Sequence, residues 1–379
     1  GGALALVRFY QTQSEISLAA GWFLWGLALW DKALALWVLS GLGVACLALL
    51  PRQIWRVVTW RRTLLSAAAL TIGALPLIFY NVHVRLATIR ENTVIDTSQL
   101  GTKFRYLTRA ANGGVLLGFW NEPDELTPAP HAAAGVLEAA SAGISSLAGR
   151  PSSDGLVIAV AAAILLAPFG GWACVRAVSF FLILMAVAWL QMALNAHTGA
   201  TVHHTILLWP WPIAVVAVSF GALATRMGRF GIPAVAGVVA LLGISCLLVT
   251  NEYYTRMVRN GGSPAWSTAV LPLAAWLKQS GAPTVFCSDW GELDTLIVLN
   301  RNQPKVRDAT GITGDPAAVQ WALSDPQNLF VAHTKEAEQI ANSWQGFVDA
   351  AAKYGRTPQL VATVPDGFGR RIFAVYRFR

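Results

Sequence analysis

Charge is scarce in this chain. Only 13% of its 379 residues are Asp, Glu, Lys or Arg, 55% are hydrophobic, and the mean hydropathy is +0.50. Soluble globular domains carry roughly 25% charged residues, so an ordinary soluble protein is excluded. Cysteine is scarce too. Cys46, Cys174 and Cys246 lie in or beside apolar runs, and Cys287 stands alone in the polar C-terminal part. That spacing supports neither a disulfide framework nor a cysteine-based zinc site. The chain has no G-x-G-x-x-G turn, no P-loop and no plausible catalytic triad, so a nucleotide-binding Rossmann site has no support. No cleavable signal peptide is readable. Tryptophan, by contrast, is plentiful at 16 residues, and aromatic residues collect at membrane interfaces. The net charge of +8 raises nucleic acid as a partner. The basic residues sit mostly in short loops between apolar segments, however, where topology and anionic lipid account for them and no nucleic acid is needed.

The longest apolar run, residues 16–50, is interrupted by Asp31 and Lys32. As one helix it would be roughly 52 Å long, against roughly 30 Å for a bilayer core. Two spans turning at Asp31–Lys32 fit better. Repeating this reading predicts seven spans, at 16–30, 33–50, 64–80, 155–169, 177–194, 205–224 and 230–249. The fold class is therefore a polytopic α-helical membrane protein. Its domains are 1–250, which includes a long loop at 81–153, and a small α/β domain at 251–379. Alternating sides from Arg8 puts Arg52, Arg56, Arg61, Arg62, Arg176, Arg226 and Arg229 together, and the positive-inside rule makes that side the cytoplasm. Asp31–Lys32, loop 81–153, residues 195–204 and everything after Thr250 then lie outside.

Polar residues concentrate on that outer side. Loop 81–153 holds Arg85, Arg90, Lys103, Arg105 and Arg109, and loops longer than about 60 residues translocate regardless of charge. Arginine matches phosphate with a bidentate fork, so Arg85, Arg90, Arg105 and Arg109 are candidates for a lipid-linked phosphate; contact with ordinary headgroups or solvent is the plainer use. Asp31 and Lys32 are either a snorkelling hairpin tip or a phosphate contact, with Lys32 donating and Asp31 orienting it. Residues 132–147 are apolar and suit an interfacial helix. Glu122, Asp124 and Glu125 are the densest carboxylates of the loop, as weak candidates for a general base or as a solvated turn around Pro123. In AHTGATVHH, His197, His203 and His204 lack a nearby Cys or carboxylate, so no metal site is expected.

The phrases GLALWDKALALW, GALPLIFYN (residues 73–81) and HHTILLWPWP (residues 203–212) resemble bacterial membrane glycosyltransferases of the GT-C type, relatives of protein O-mannosyltransferases and lipid A aminoarabinose transferases. The likeness covers most of residues 15–250. It implies transfer of a sugar from a polyprenyl-phosphate carrier to a protein, lipid or glycan acceptor, on the extracytoplasmic face of the bacterial inner membrane. No cofactor is implied beyond that donor. By the same resemblance, His203 or His204 would contact donor phosphate or acceptor. The family's catalytic carboxylate lies in a first outer loop, and the opening at Gly1–Gly2 reads as the tail of a span. The expectation is a C-terminal portion whose base lies upstream of residue 1 and which would be inactive alone.

After Ser263 the pattern changes to short strands and helices. Helices are predicted at 265–279, 292–300, 316–323 and 337–354, and strands at 284–288, 305–307, 329–332, 359–364 and 371–377. Asp289, Trp290, Glu292 and Asp294 follow the first strand, where α/β sheets bind ligands. A transporter would instead place ionisable residues at mid-membrane, and a scaffold would carry no chemistry. The nearly charge-free spans and one-sided polar groups favour the glycosyltransferase.

Overall fold

The computed structural model describes residues 1–115, 126–196, 198–199, 202–264 and 267–379. In chain order the first helices are α1 (Gly2–Thr12), α2 (Glu15–Asp31), α3 (Ala35–Leu49), α4 (Pro51–Val57), α5 (Trp60–Gly73), α6 (Leu75–His83), α7 (Ala87–Asn92) and α8 (Leu100–Ala111). They are followed by α9 (Val136–Ala148), α10 (Gly155–Gly170), α11 (Trp172–Leu194), α12 (Val202–Thr205), α13 (Pro210–Arg226) and α14 (Gly231–Asn260). The remainder runs α15 (Val270–Gln279), β1 (Thr284–Cys287), α16 (Leu293–Asn300), β2 (Lys305–Asp308), α17 (Pro316–Leu323), β3 (Leu329–His333), α18 (Ser343–Ala352), β4 (Pro358–Pro365) and β5 (Arg371–Phe378). The chain divides into two compact units, Gly1–Leu116 with Ser152–Leu247, and Leu117–Pro151 with Leu248–Arg379.

The first unit is a bundle of apolar helices. Each of the seven predicted stretches is helical, but they do not make seven spans. Among the described residues three helices are long and apolar enough to cross a membrane: Trp172–Leu194, Ile206–Arg226 and Gly228–Asn260. Counting each bent pair as one span gives five. Length is the reason. The 17 residues of α2 and the 16 of α10 rise only roughly 25 Å. The pair α3–α4 bends by 104° and the pair α5–α6 by 63°. Proline opens both second halves, Pro51 in α4 and Pro76 in α6, at first-turn positions where its missing N–H costs nothing.

Small residues set the helix spacing in this unit. A Cβ on Gly73 of α5 would stand 2.2 Å from the Phe23 carbonyl oxygen of α2, and one on Gly26 would stand 2.3 Å from the Leu70 oxygen. Gly41 of α3 meets the Leu184 oxygen of α11 at 2.5 Å in the same sense. Only glycine permits such backbone approach, the usual device of membrane helix pairs. The predicted turn is present at Lys32–Leu34, yet it is not the tip of a tight hairpin. α2 packs along α1 and α5, whereas α3 packs along α11.

The C-terminal part of the second unit is a five-stranded sheet of order β2-β1-β3-β5-β4. β1 pairs in parallel with β2 and β3, and β5 is antiparallel to β3 and β4. Alternation along β1 and β3 separates two cores. Val285, Cys287, Leu329 and Val331 join Leu273, Leu277 and Leu296 on one side. Phe286 and Phe330 join Val319, Phe347 and Phe378 on the other. The result is a three-layer α/β domain, as the alternating pattern predicts. Two predicted helices shorten: the one expected at 265–279 begins at Val270, and residues 337–342 are not helical, so that α18 begins at Ser343.

Candidate functional site

The α2–α3 turn, the α7–α8 segment, the C-terminal end of α11 and the stretch after α12 meet at one end of the first unit. Leu34, Trp37, Met192, Ala188 and Leu208 form a buried cluster, with Leu107 of α8, Trp189 and Leu207 packed against it. Leu34 lies two residues after Lys32, and Leu107 lies midway between Arg105 and Arg109. The apolar cluster therefore fixes the backbones that carry these cations.

Lys103 is the pin of this arrangement. It is fully buried, and its Nζ donates to the Ala193 oxygen at 3.0 Å and to the Asn195 oxygen. These carbonyls close the C-terminal end of α11, where a cation is favoured by the helix dipole. A short bridge adds to the pin. Asn195 pairs with Ile95, Ala196 N donates to Val94 O, Asp96 N donates to Leu194 O, and Asn195 Nδ2 donates to Asn92 O. The loop after α11 is thus stitched to the segment joining α7 and α8. Gly199, at φ +82°, passes close to the Lys103 stem and donates its N–H to His204 Nδ1 at 3.3 Å. An accepting Nδ1 leaves the neutral ring's proton on Nε2.

Of the residues singled out from sequence, Asp31 is exposed and Lys32 half-buried, at the turn itself. Arg105 is exposed and Arg109 half-buried on α8. Arg90 is exposed on α7, two residues before Asn92. Arg85 is exposed in a left-handed corner with Leu86, at φ 45° and 59°. That corner is braced by buried Asn81, which donates to Leu77 O and accepts from Thr88 N. Glu122, Asp124, Glu125 and His197 lie outside the described residues, as does the side chain of His203. Sequence reasoning counted Lys103 among the basic residues without giving it a role. Its signal was available: Lys103, Leu107 and Ala110 share one face of an amphipathic helix, and a lysine on that face must find acceptors. Asp96 was missed entirely. Hydrogen bonds from Ser98 hold its carboxyl below the ordinary value, which makes it a poor base.

A second polar cluster lies in the α/β domain, at the carboxyl ends of the adjacent parallel strands β1 and β3. Asp289 Oδ2 accepts from His333 Nδ1 at 2.9 Å and from Gln339 N at 2.8 Å, while Oδ1 accepts from Trp290 N and Ile340 N. Burial opposes its charge, but these four bonds outweigh burial and hold its pKa low. Two of the bonds pin residues 339–340 across the strand ends, which is why the predicted helix at 337–354 starts late. Glu292 Oε1 lies 3.3 Å from the same nitrogen, yet neither Glu292 oxygen has a hydrogen-bond partner of good geometry. Burial first, and then the charge of Asp289, push its pKa well above the ordinary 4.5. All three side chains are at most 3% exposed. The cluster is a buried brace, without the open mouth that a substrate site needs.

No family model, curated protein or solved structure matches this chain. Among the described residues no group of three or more His, Cys, Asp or Glu is placed to hold a metal ion.

Proposed function

We propose that the chain is an integral-membrane glycosyltransferase using a polyprenyl-phosphate sugar, with its donor phosphate at the α8 end of the first unit. The observation that carries this reading is that the separate segments bearing Lys32, Arg90, Arg105, Arg109 and His204 are braced together at one end of the bundle. In the transfer, a base takes the proton of an acceptor hydroxyl, the hydroxyl oxygen attacks the anomeric carbon, and the carbon–oxygen bond to the carrier breaks. The polyprenyl phosphate leaves with the electron pair, and cations at that end stabilise the added negative charge. No residue is assigned as the base. This end would face the outside of a bacterial inner membrane, and the α/β domain would lie on the same side. A transporter fits less well. Among the described residues of the first unit the buried charged one, Lys103, sits at the bundle's end on backbone carbonyls, whereas coupling sites lie near mid-membrane.

Binding of a short-chain polyprenyl phosphate to the protein in nanodiscs tests the reading without requiring turnover. Lys32→Ala should weaken binding about tenfold or more, as loss of a charge-assisted phosphate contact does. Lys32→Arg should retain part of it, and Asp31→Asn should be milder than Lys32→Ala. Unchanged binding in Lys32→Ala and in an Arg105→Ala/Arg109→Ala double variant would remove the phosphate site from this end.

A further inference from the structure

An amphipathic helix on a protein surface ordinarily turns its apolar stripe inward and its polar side to water. α9 is built the other way round. Val136, Leu137 and Leu147 are 85%, 87% and 89% exposed, and Ile144 is 45% exposed. With Ala140 they occupy an arc of roughly 100° that contains no charged or polar residue. Ser141 and Ser145 face inward on the opposite side. Ser141 Oγ donates to Asn251 Oδ1 at 2.8 Å and pairs with Thr255 Oγ1 at 2.6 Å, and Asn251 Nδ2 donates to Ser141 O at 3.0 Å. Ser145 Oγ donates to Glu252 Oε2, and Glu252 Oε1 accepts from Arg256 Nε at 2.7 Å.

Those partners identify what covers the apolar face. Asn251, Glu252 and Thr255 belong to α14, whose residues 231–251 carry no charge; Glu252 is its first charged residue. Twenty-one uncharged residues rise roughly 31 Å, one bilayer core, so α9 is fastened where that stretch meets the headgroups. Exposed Arg150, just beyond α9, is suited to lipid phosphate at that depth. We infer that α9 lies in the membrane interface, with Val136, Leu137, Ile144 and Leu147 among the acyl chains and its serine side on α14. The second unit thus holds the lipid surface through a helix of its own. The arrangement rests on α9 and α14 alone and does not depend on the enzymatic reading.

The test is collision accessibility of nitroxide labels on Leu137→Cys and Leu147→Cys, in a Cys46→Ala/Cys246→Ala background in phospholipid nanodiscs. Lys335→Cys, exposed in the α/β domain, serves as the aqueous control. At positions 137 and 147 oxygen should collide several-fold more often than an aqueous nickel chelate, with the reverse at 335. Nickel accessibility at 137 and 147 equal to that at 335 would place α9 in water and overturn the inference. Low accessibility to both reagents would mean that protein, a second copy or another partner, covers the face, and would overturn it equally.

Discussion

The two units bury polar groups in opposite ways. In the first, buried polar side chains are satisfied largely by backbone carbonyls: Ser219 Oγ donates to Ala163 O at 2.7 Å, and Lys103 donates to Ala193 O and Asn195 O. In the second, a buried carboxylate is held by another side chain. Asp289 meets His333, and Asp366 Oδ2 meets Arg370 Nε at 2.8 Å while Arg370 Nη1 also donates to Gly262 O. Packing differs as well. The first unit brings backbones together at Gly26, Gly41 and Gly73, and the second fills its core with stacked rings such as Phe286 on Phe330. The difference follows from the solvent each unit is built for. Lipid gives helices no hydrophobic gain on association, so close approach and internal hydrogen bonding must hold them. Water rewards the burial of large side chains and tolerates an occasional charge only when it is paired.

The largest expected effect breaks the backbone approach. Gly73→Ala would place a Cβ 2.2 Å from Phe23 O, 2.9 Å from Leu27 N and 3.0 Å from Gly26 Cα, all backbone atoms that cannot rotate away. α2 and α5 must separate, at a cost near the upper end of the about 1–3 kcal/mol typical of overpacking. Gly43→Ala is the matched control, because its Cβ would meet nothing within 4 Å. Denaturant unfolding in detergent should show a clear loss for Gly73→Ala and none for Gly43→Ala. Equal stability of the two variants would show that the crossing is not what holds this pair.

The same comparison explains what the sequence disclosed. In the α/β domain, period-two alternation and turn residues located every strand within about a residue, and the helix at 316–323 matches α17 end to end. One error there, the helix expected at 337–354, arose because the pull of Asp289 on residues 339–340 comes from 50 positions away. Membrane segments were legible as apolar runs, but their bends were not. A span count needs the 104° and 63° breaks, and Pro51 and Pro76 marked those places without revealing the angle. At the candidate site, local charge named Lys32, Arg90, Arg105 and Arg109. The bridge of Ile95 to Asn195, 100 positions apart, joins segments that no local pattern connects. His333 was invisible for the same reason, since its partner Asp289 follows another strand, 44 positions away.

A smaller effect sharpens the contrast in buried charge. Glu292 keeps its proton well above 4.5 in the folded domain, whereas the unfolded chain releases it near that value. Between those two values the folded state binds one more proton, so stability falls as pH rises, by at most about 1.4 kcal/mol per pH unit. Asp289 acts in the opposite sense. Its lowered value stabilises the fold above the ordinary 3.8, and that contribution is lost as pH falls through the folded value. From pH 5 up to the folded value of Glu292, its slope should therefore stand alone of the two. Hydrogen exchange of the β1 and β3 amides, corrected for intrinsic rates, should show protection declining over that range in the wild type and a flatter profile in Glu292→Gln. A slope unchanged by Glu292→Gln would assign the pH dependence to another group.

The smallest effect probes how the first unit treats a polar pair between helices. Ser40 of α3 and Gln191 of α11 share a side-chain contact: Gln191 Nε2 donates to Ser40 Oγ at 2.7 Å and to Val187 O at 2.9 Å, and Ser40 Oγ lies 2.9 Å from both Trp37 O and Gln191 Oε1. Each group thus has a second partner within its own helix. Removing the hydroxyl leaves Gln191 Nε2 bonded to Val187 O, so little is orphaned. Interhelical hydrogen bonds in membranes average about 0.6 kcal/mol because the separated helices find such alternatives. Ser40→Ala should therefore cost about 0.6 kcal/mol, and Ser40→Ala with Gln191→Leu should cost no more than the sum of the single changes. In the second unit, Arg370→Met leaves Asp366 buried without its cation and should cost several times as much, about 3 kcal/mol. A Ser40→Ala cost as large as that of Arg370→Met would mean that side-chain hydrogen bonds, and not close backbone approach, carry the α3–α11 contact.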